Sequence, residues 1–216
     1  MISRAPLSLA VLAAAGLLAP RQSLAQRVDV TGLGIVAGPR STVLNQGVRE
    51  VIGGVWIGAA VEVKVDRFLI TASGLRGTLD PIENTPFQSD AGEEGVRVGF
   101  TPRSGFSVEA SYTARVFSSA VGYQRWNMLG VGASMSVPLG DSALSAYARA
   151  SYLPVATASG RSSSSVAIAA EVGVSAAPRR TPMLIRLTYR FERFDFPGEP
   201  AEFDRITLEV GYRVKR

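Results

Sequence analysis

Carboxylates and cationic side chains recur at even spacings in several parts of this chain. Glu62 and Lys64, Glu109 and Arg115, then Arg186, Arg190 and Glu192, and finally Arg205, Glu209 and Arg213 each form such a set. Arg97, Arg149 and Glu171 stand in similar alternating segments. Opposite charges placed this way suit ion pairing across a sheet more than bond-breaking chemistry. The chain has no His, which removes the commonest general base and the commonest metal ligand. It has no Cys, so disulfides and thiolate metal sites are also excluded. No spacing argues for a Ser-Lys or paired-carboxylate site. The expectation is therefore no catalytic residue, no metal ligand and no cofactor. Gly32, Gly34 and Gly38 miss the spacing of a nucleotide-binding loop, and no helix follows. The acidic stretch 78–93, with Asp80, Glu83, Asp90 and Glu93, lacks the ligand spacing of a calcium loop and reads as solvated.

A period of two places alternate residues on opposite faces of a β-strand, so strands must position these charges. Between 183 and 193 the apolar set is Met183, Ile185, Leu187, Tyr189 and Phe191, set against Arg186, Thr188, Arg190 and Glu192. In 105–117 Phe106, Val108, Ala110, Tyr112, Ala114 and Val116 oppose Ser107, Glu109, Ser111, Thr113 and Arg115. Counting such segments predicts about ten strands, near 27–37, 54–65, 67–77, 94–101, 105–117, 124–137, 143–154, 164–176, 182–194 and 203–214. Eight is the alternative, because the first segment and 67–77 alternate least well. Leu33 and Ile35 fall opposite Val28, Val30 and Val36, so the register of the first strand stays open. Pro154 would remove a ladder hydrogen bond, so a strand end or a bulge is expected there. Short connections near 66, 102, 140 and 179 alternate with longer ones at 38–53, 78–93, 118–123, 155–163 and 195–202. That alternation describes an antiparallel up-and-down barrel with short turns at one end and loops at the other.

The first 25 residues have the parts of a cleaved secretory signal: Arg4, an apolar run from Pro6 to Leu18, and Ser23-Leu24-Ala25 before Gln26. Residues 26–216 then form one barrel domain. Arg4 and Arg21 go with the signal, so the 23 basic residues fall to 21 against 18 acidic ones, close to neutral. Only Lys64 and Lys215 are Lys, and the arginines are scattered and not clustered, adjacent only at Arg179-Arg180. Scattered basic residues do not make a nucleic-acid surface.

Alternation alone fits either a membrane barrel with its apolar face outward or a secreted soluble barrel holding a lipid or other apolar ligand inside. Aromatic placement favours the membrane. Phe68, Phe100, Phe106 and Tyr212 fall at the turn end of apolar faces, and Tyr152, Tyr189 and Phe191 towards the loop end. On these residues the chain resembles the small porin-like outer-membrane β-barrel proteins of Gram-negative-type bacteria, along its whole mature length. The resemblance implies a transmembrane barrel in the bacterial outer membrane, with membrane lipid and the barrel assembly machinery as partners. The family's C-terminal insertion signal is matched by Glu209, Gly211 and Val214, with Arg216 in place of the terminal aromatic. Members that act as proteases or acyltransferases use a His, which is missing here.

With the apolar face in lipid, Glu62, Lys64, Arg97, Glu109, Arg115, Arg149, Glu171, Arg186, Arg190, Glu192, Arg205, Glu209 and Arg213 become a charge network in the lumen. Unpaired charge there would be costly, so pairing is expected. Hairpin geometry places Arg97 opposite Glu109, Glu192 opposite Arg205, and Arg190 opposite or diagonal to Glu209. A salt-bridged plug is favoured over a selective pore because narrow barrels fill with side chains. The expected role is structural anchoring or surface interaction without catalysis, leaving room for limited passage of small solutes.

Overall fold

The computed structural model describes residues 28–215 apart from 46–47, 84–87, 120–121, 141–142, 160–163, 165, 179–180 and 198–199. The expected signal segment, 1–25, lies outside the described residues. The ten strands are β1 (Val28–Asn45), β2 (Val48–Val65), β3 (Phe68–Glu83), β4 (Ser89–Arg103), β5 (Phe106–Ser119), β6 (Gly122–Pro138), β7 (Leu144–Ala158), β8 (Val166–Ala176), β9 (Met183–Asp195) and β10 (Ala201–Lys215). Each pairs antiparallel with its sequence neighbour, and β1 closes on β10. β1 and β3, the least regular strands in sequence, are full members of the wall, which has ten strands and not eight.

Register fixes the shape of the barrel. A row of paired residues starting at Val36 runs through Ile57, Arg76, Gly92 and Val116 to Arg125 on β6. In the other direction it runs through Leu208, Leu187, Val174 and Ala146 to Val137 on the same strand. Its two ends lie about 12 residues apart, a stagger that tilts ten strands by roughly 40° from the barrel axis.

The apolar set of each strand points outward. Val61, Ile70, Val98, Val108, Val131, Val172, Leu187 and Leu208 are all exposed on the outer surface. Water would penalise so continuous an apolar belt; hydrocarbon would not. So apolar an exterior is the reverse of a soluble carrier's, whose outer face would be polar. Phe68, Phe106 and Tyr212 are exposed near the turn end, with the rings of Phe68 and Phe100 5.1 Å apart. Tyr152 and Tyr189 are exposed further up, joined by Tyr112, while Phe191 is half-buried.

Strands run further than the sequence pattern indicates. Most of the expected loops 38–53 and 78–93 are the upper parts of β1, β2, β3 and β4, so those segments are extended hairpins. At the turn end, Asp66 adopts a φ of 52° between β2 and β3, and Gly105 one of 79° between β4 and β5. A side chain at Gly105 would also meet the Ser136 carbonyl, which lies 2.8 Å from the position of a Cβ. Pro154 sits in a bulge: Leu129 pairs with Val155 and Val131 with Tyr152, leaving Pro154 out of the ladder. Its missing N–H is thereby cost-free.

Candidate functional site: the charged lumen

The polar set of each strand faces inward, and the tilt brings charges from distant strands together. Arg115 on β5 donates to Glu93 on β4, at 2.6 Å from Nη2 and 2.9 Å from Nε, and to Glu192 on β9 at 2.8 Å. Arg205 on β10 reaches the other oxygen of Glu93 at 2.7 Å. Arg190 donates to Glu192 on its own strand at 2.8 Å, and its Nη1 lies 3.7 Å from Glu171. Glu171 accepts from Arg149 at 2.7 Å and from the Tyr147 hydroxyl at 3.1 Å. Arg149 then reaches Glu109 at 2.8 Å, and Arg97 ends the chain 3.7 Å from the same carboxylate. Arg205, Glu93, Arg115, Glu192, Arg190, Glu171, Arg149, Glu109 and Arg97 thus form one continuous ladder of alternating sign. Nearer the turn end, Arg186 bridges Glu209 at 2.6 Å and Glu62 at 3.1 Å. The ladder carries one arginine more than it has glutamates and the triad one glutamate more, so the two together are neutral.

Eleven of the thirteen charges expected in the lumen lie in these two groups. Lys64 is exposed and Arg213 half-buried at the turn ends of β2 and β10, and neither joins them among the described residues. The partners differ from those expected. Glu109 is opposite Gly99, which makes Arg97 its diagonal neighbour. The β9–β10 hairpin is two residues tighter than expected, placing Glu192 opposite Phe203, Arg205 opposite Arg190 and Glu209 opposite Arg186. Arg205 therefore finds its partner across the lumen, and Glu192 pairs both across it with Arg115 and along its own strand with Arg190.

Glu93, a hub of the ladder, lies in the stretch 78–93 expected to be a solvated loop. The signal was available: Glu93 is in phase with Gly95, Arg97 and Gly99, and of the pair Glu93-Glu94 one must face inward in a strand. Also unforeseen is an apolar cap at the loop end. Trp56 and Leu79 are fully buried, and Trp56 packs on Phe203 with centroids 5.7 Å apart. Trp126 packs edge-on against Phe194 at 4.9 Å and Phe196 at 5.3 Å. Arg115 joins cap to ladder, its guanidinium carbon 3.7 Å from the Phe203 ring centroid.

Comparison with solved structures places this architecture. The chain is similar to the outer membrane protease OmpT from Escherichia coli, with a TM-score of 0.53 and 12% identity over 89% of this chain and 97% of that one. The fold is that of the bacterial outer-membrane β-barrels. The translocator domain of the autotransporter NalP from Neisseria meningitidis matches at a TM-score of 0.49 with 13% identity, covering 95% of this chain and 94% of that one. No protein-family model and no curated protein matches the sequence.

The lumen of the barrel has two parts. Side chains of Arg115 and Glu192 are 2% and 0% exposed, whereas those of Arg186 and Glu62 are 21% and 13% exposed. Below the buried layer a cavity of about 360 Å³ is lined by ladder, triad and hydroxyl side chains including Thr71, Ser73, Ser134 and Thr207. Its margin includes Thr101, Gly105 and Ser136, which places it towards the turn end. Glycines make space for the larger lumen side chains. A Cβ at Gly173 would meet the Tyr147 ring at 2.8 Å, and one at Gly211 would collide with the Leu33 side chain.

Proposed function

We propose that the mature chain, from Gln26 after signal cleavage near Ala25, is a closed barrel in the outer membrane that acts as an anchored surface or structural protein and has no catalytic role. The observation that carries this reading is the Glu93–Arg115–Glu192 layer beneath the aromatic cap. A route for solutes would have to break the buried ion pairs through which Arg115 joins these two carboxylates, a costly step in a dry layer. Neutrality of the lumen supports the same reading, since a selective pore needs an excess of one sign. Membrane lipid meets the apolar belt, the barrel assembly machinery inserts the chain, and the short turns face the periplasm. The rival within the same fold is a narrow pore fed from the turn-end cavity.

The test combines location with flux. Fractionation is expected to recover the mature protein in the outer membrane, resistant to carbonate extraction, and proteoliposomes containing it should retain small sugars as well as empty ones do. Recovery as a soluble periplasmic protein would overturn the location. Rapid sugar efflux would overturn closure.

A further inference from the structure

We propose that the turn-end cavity is a binding pocket for a small solute carrying an oxyanion, a carboxylate or a phosphate, anchored by Arg97 and Thr71.

Unequal pairing of the lumen arginines is the starting point. Arg115, Arg149, Arg186, Arg190 and Arg205 each have at least one carboxylate oxygen within 2.8 Å. Among the described residues Arg97 has only the 3.7 Å approach to Glu109, and that carboxylate is already held by Arg149 at 2.8 Å and by the Ser134 hydroxyl at 2.6 Å. Its side chain is 28% exposed and lines the cavity. A guanidinium offers five N–H donors in a planar fork, and nearly all of this one's are unspent on protein.

A second observation lies directly across the strand pair. Thr71 is the register partner of Arg97 and also lines the cavity. Its hydroxyl oxygen is buried and has no hydrogen-bond partner among the described residues, and the same is true of Arg205 Nε, another group on the cavity wall. Buried polar atoms are almost always satisfied, so orphans gathered at one cavity point to something that fills it. Charge selects the filler. The ladder has one arginine in excess and ends on Arg97, so the free valence is positive. The Glu62–Arg186–Glu209 triad elsewhere on the wall is negative by one, which favours a solute that presents its anion to Arg97 and a neutral or cationic part to the triad. The volume, about 360 Å³, is within the range of small-molecule sites.

This site does not depend on whether the barrel conducts, so it is tested on refolded protein in detergent. Calorimetric titration with succinate and, separately, inorganic phosphate should give saturable one-to-one binding to the wild type for at least one of them. The stronger of the two identifies the oxyanion as carboxylate or phosphate. Arg97→Gln should weaken that binding by roughly tenfold or more, the loss expected for a charge-assisted bidentate contact. Thr71→Val should weaken it less, and Arg193→Gln, on the exposed outer face, should leave it unchanged. Heat-modifiable migration on gels reports whether each variant is folded. If Arg97→Gln does not fold, Arg97→Lys keeps the charge but loses the fork, and weaker binding is still expected. Heats no greater than dilution for both probes, or binding by Arg97→Gln equal to wild type, would overturn the proposal.

Discussion

The turn half and the loop half of the barrel are inverses of one another. On β9, Ile185 points out and Arg186 in near the turn end, whereas Arg193 points out and Phe194 in near the loop end. β10 does the same, with Leu208 out and Glu209 in below, then Phe203 in and Asp204 outward above. β3 changes from Ile70 out and Thr71 in to Asp80 out and Leu79 in. The lower half is built for hydrocarbon outside and polar groups inside; the upper half is built like a soluble β-barrel, with water outside and an apolar core. The buried ladder segment around Arg115 lies where the two regimes meet. Its charges are at once the last polar layer of the lower half and the floor of the upper core.

Breaking that junction should have the largest effect. Arg115→Ala removes the partner that Glu93 and Glu192 share, leaving Glu93 with Arg205 and Glu192 with Arg190, and is expected to destabilise the barrel by about 3 kcal/mol, the low end of the range for breaking a buried ion pair. Denaturant unfolding of the refolded barrel in detergent measures it. A loss below about 1 kcal/mol would mean that water reaches this layer, on the scale of exposed ion pairs.

The inversion itself is sharpened by placing the same charge on the outer face of each half. Leu187→Arg, on the apolar belt, should cost about 2–4 kcal/mol in lipid vesicles. Thr78→Arg, also outward but on the loop half of β3, should stay within about 0.5 kcal/mol as a surface change. Equal costs would remove the distinction between the halves.

A smaller effect tests the register of the β9–β10 hairpin. The double-mutant cycle of Glu209→Ala with Arg186→Ala should show coupling of about 1 kcal/mol, while Glu209→Ala with Arg190→Ala should be additive within about 0.5 kcal/mol. The opposite ranking would restore the looser register that hairpin reasoning alone suggests.

The inversion also explains what the sequence revealed and what it hid. Strands β5, β9 and β10 were legible because their lower parts alternate strictly between lipid and lumen. The upper parts of β1 to β4 look like loops in sequence because the alternation changes phase there: Arg40 and Asp80 take the outer face, and Ile52 and Leu79 the inner one. Strand β1 was ambiguous for a different reason. Its outward residues include Gly32, Gly34 and Gly38, and its inward ones Leu33 and Ile35, so hydrophobicity pointed to the wrong side. Membership of the lumen set was largely visible from the period of two. Partnership was not, because Arg115 with Glu192 and Arg205 with Glu93 meet across the barrel, a distance set by stagger and closure and by no local spacing.

Closure of the lumen at this junction is the central claim, and single-channel recording in planar bilayers tests it most directly. Wild-type protein should insert without a steady open-channel current, and the combined Trp56→Ala, Phe203→Ala and Arg115→Ala variant, if it inserts, should show one. A steady wild-type conductance that the triple variant leaves unchanged would contradict the account.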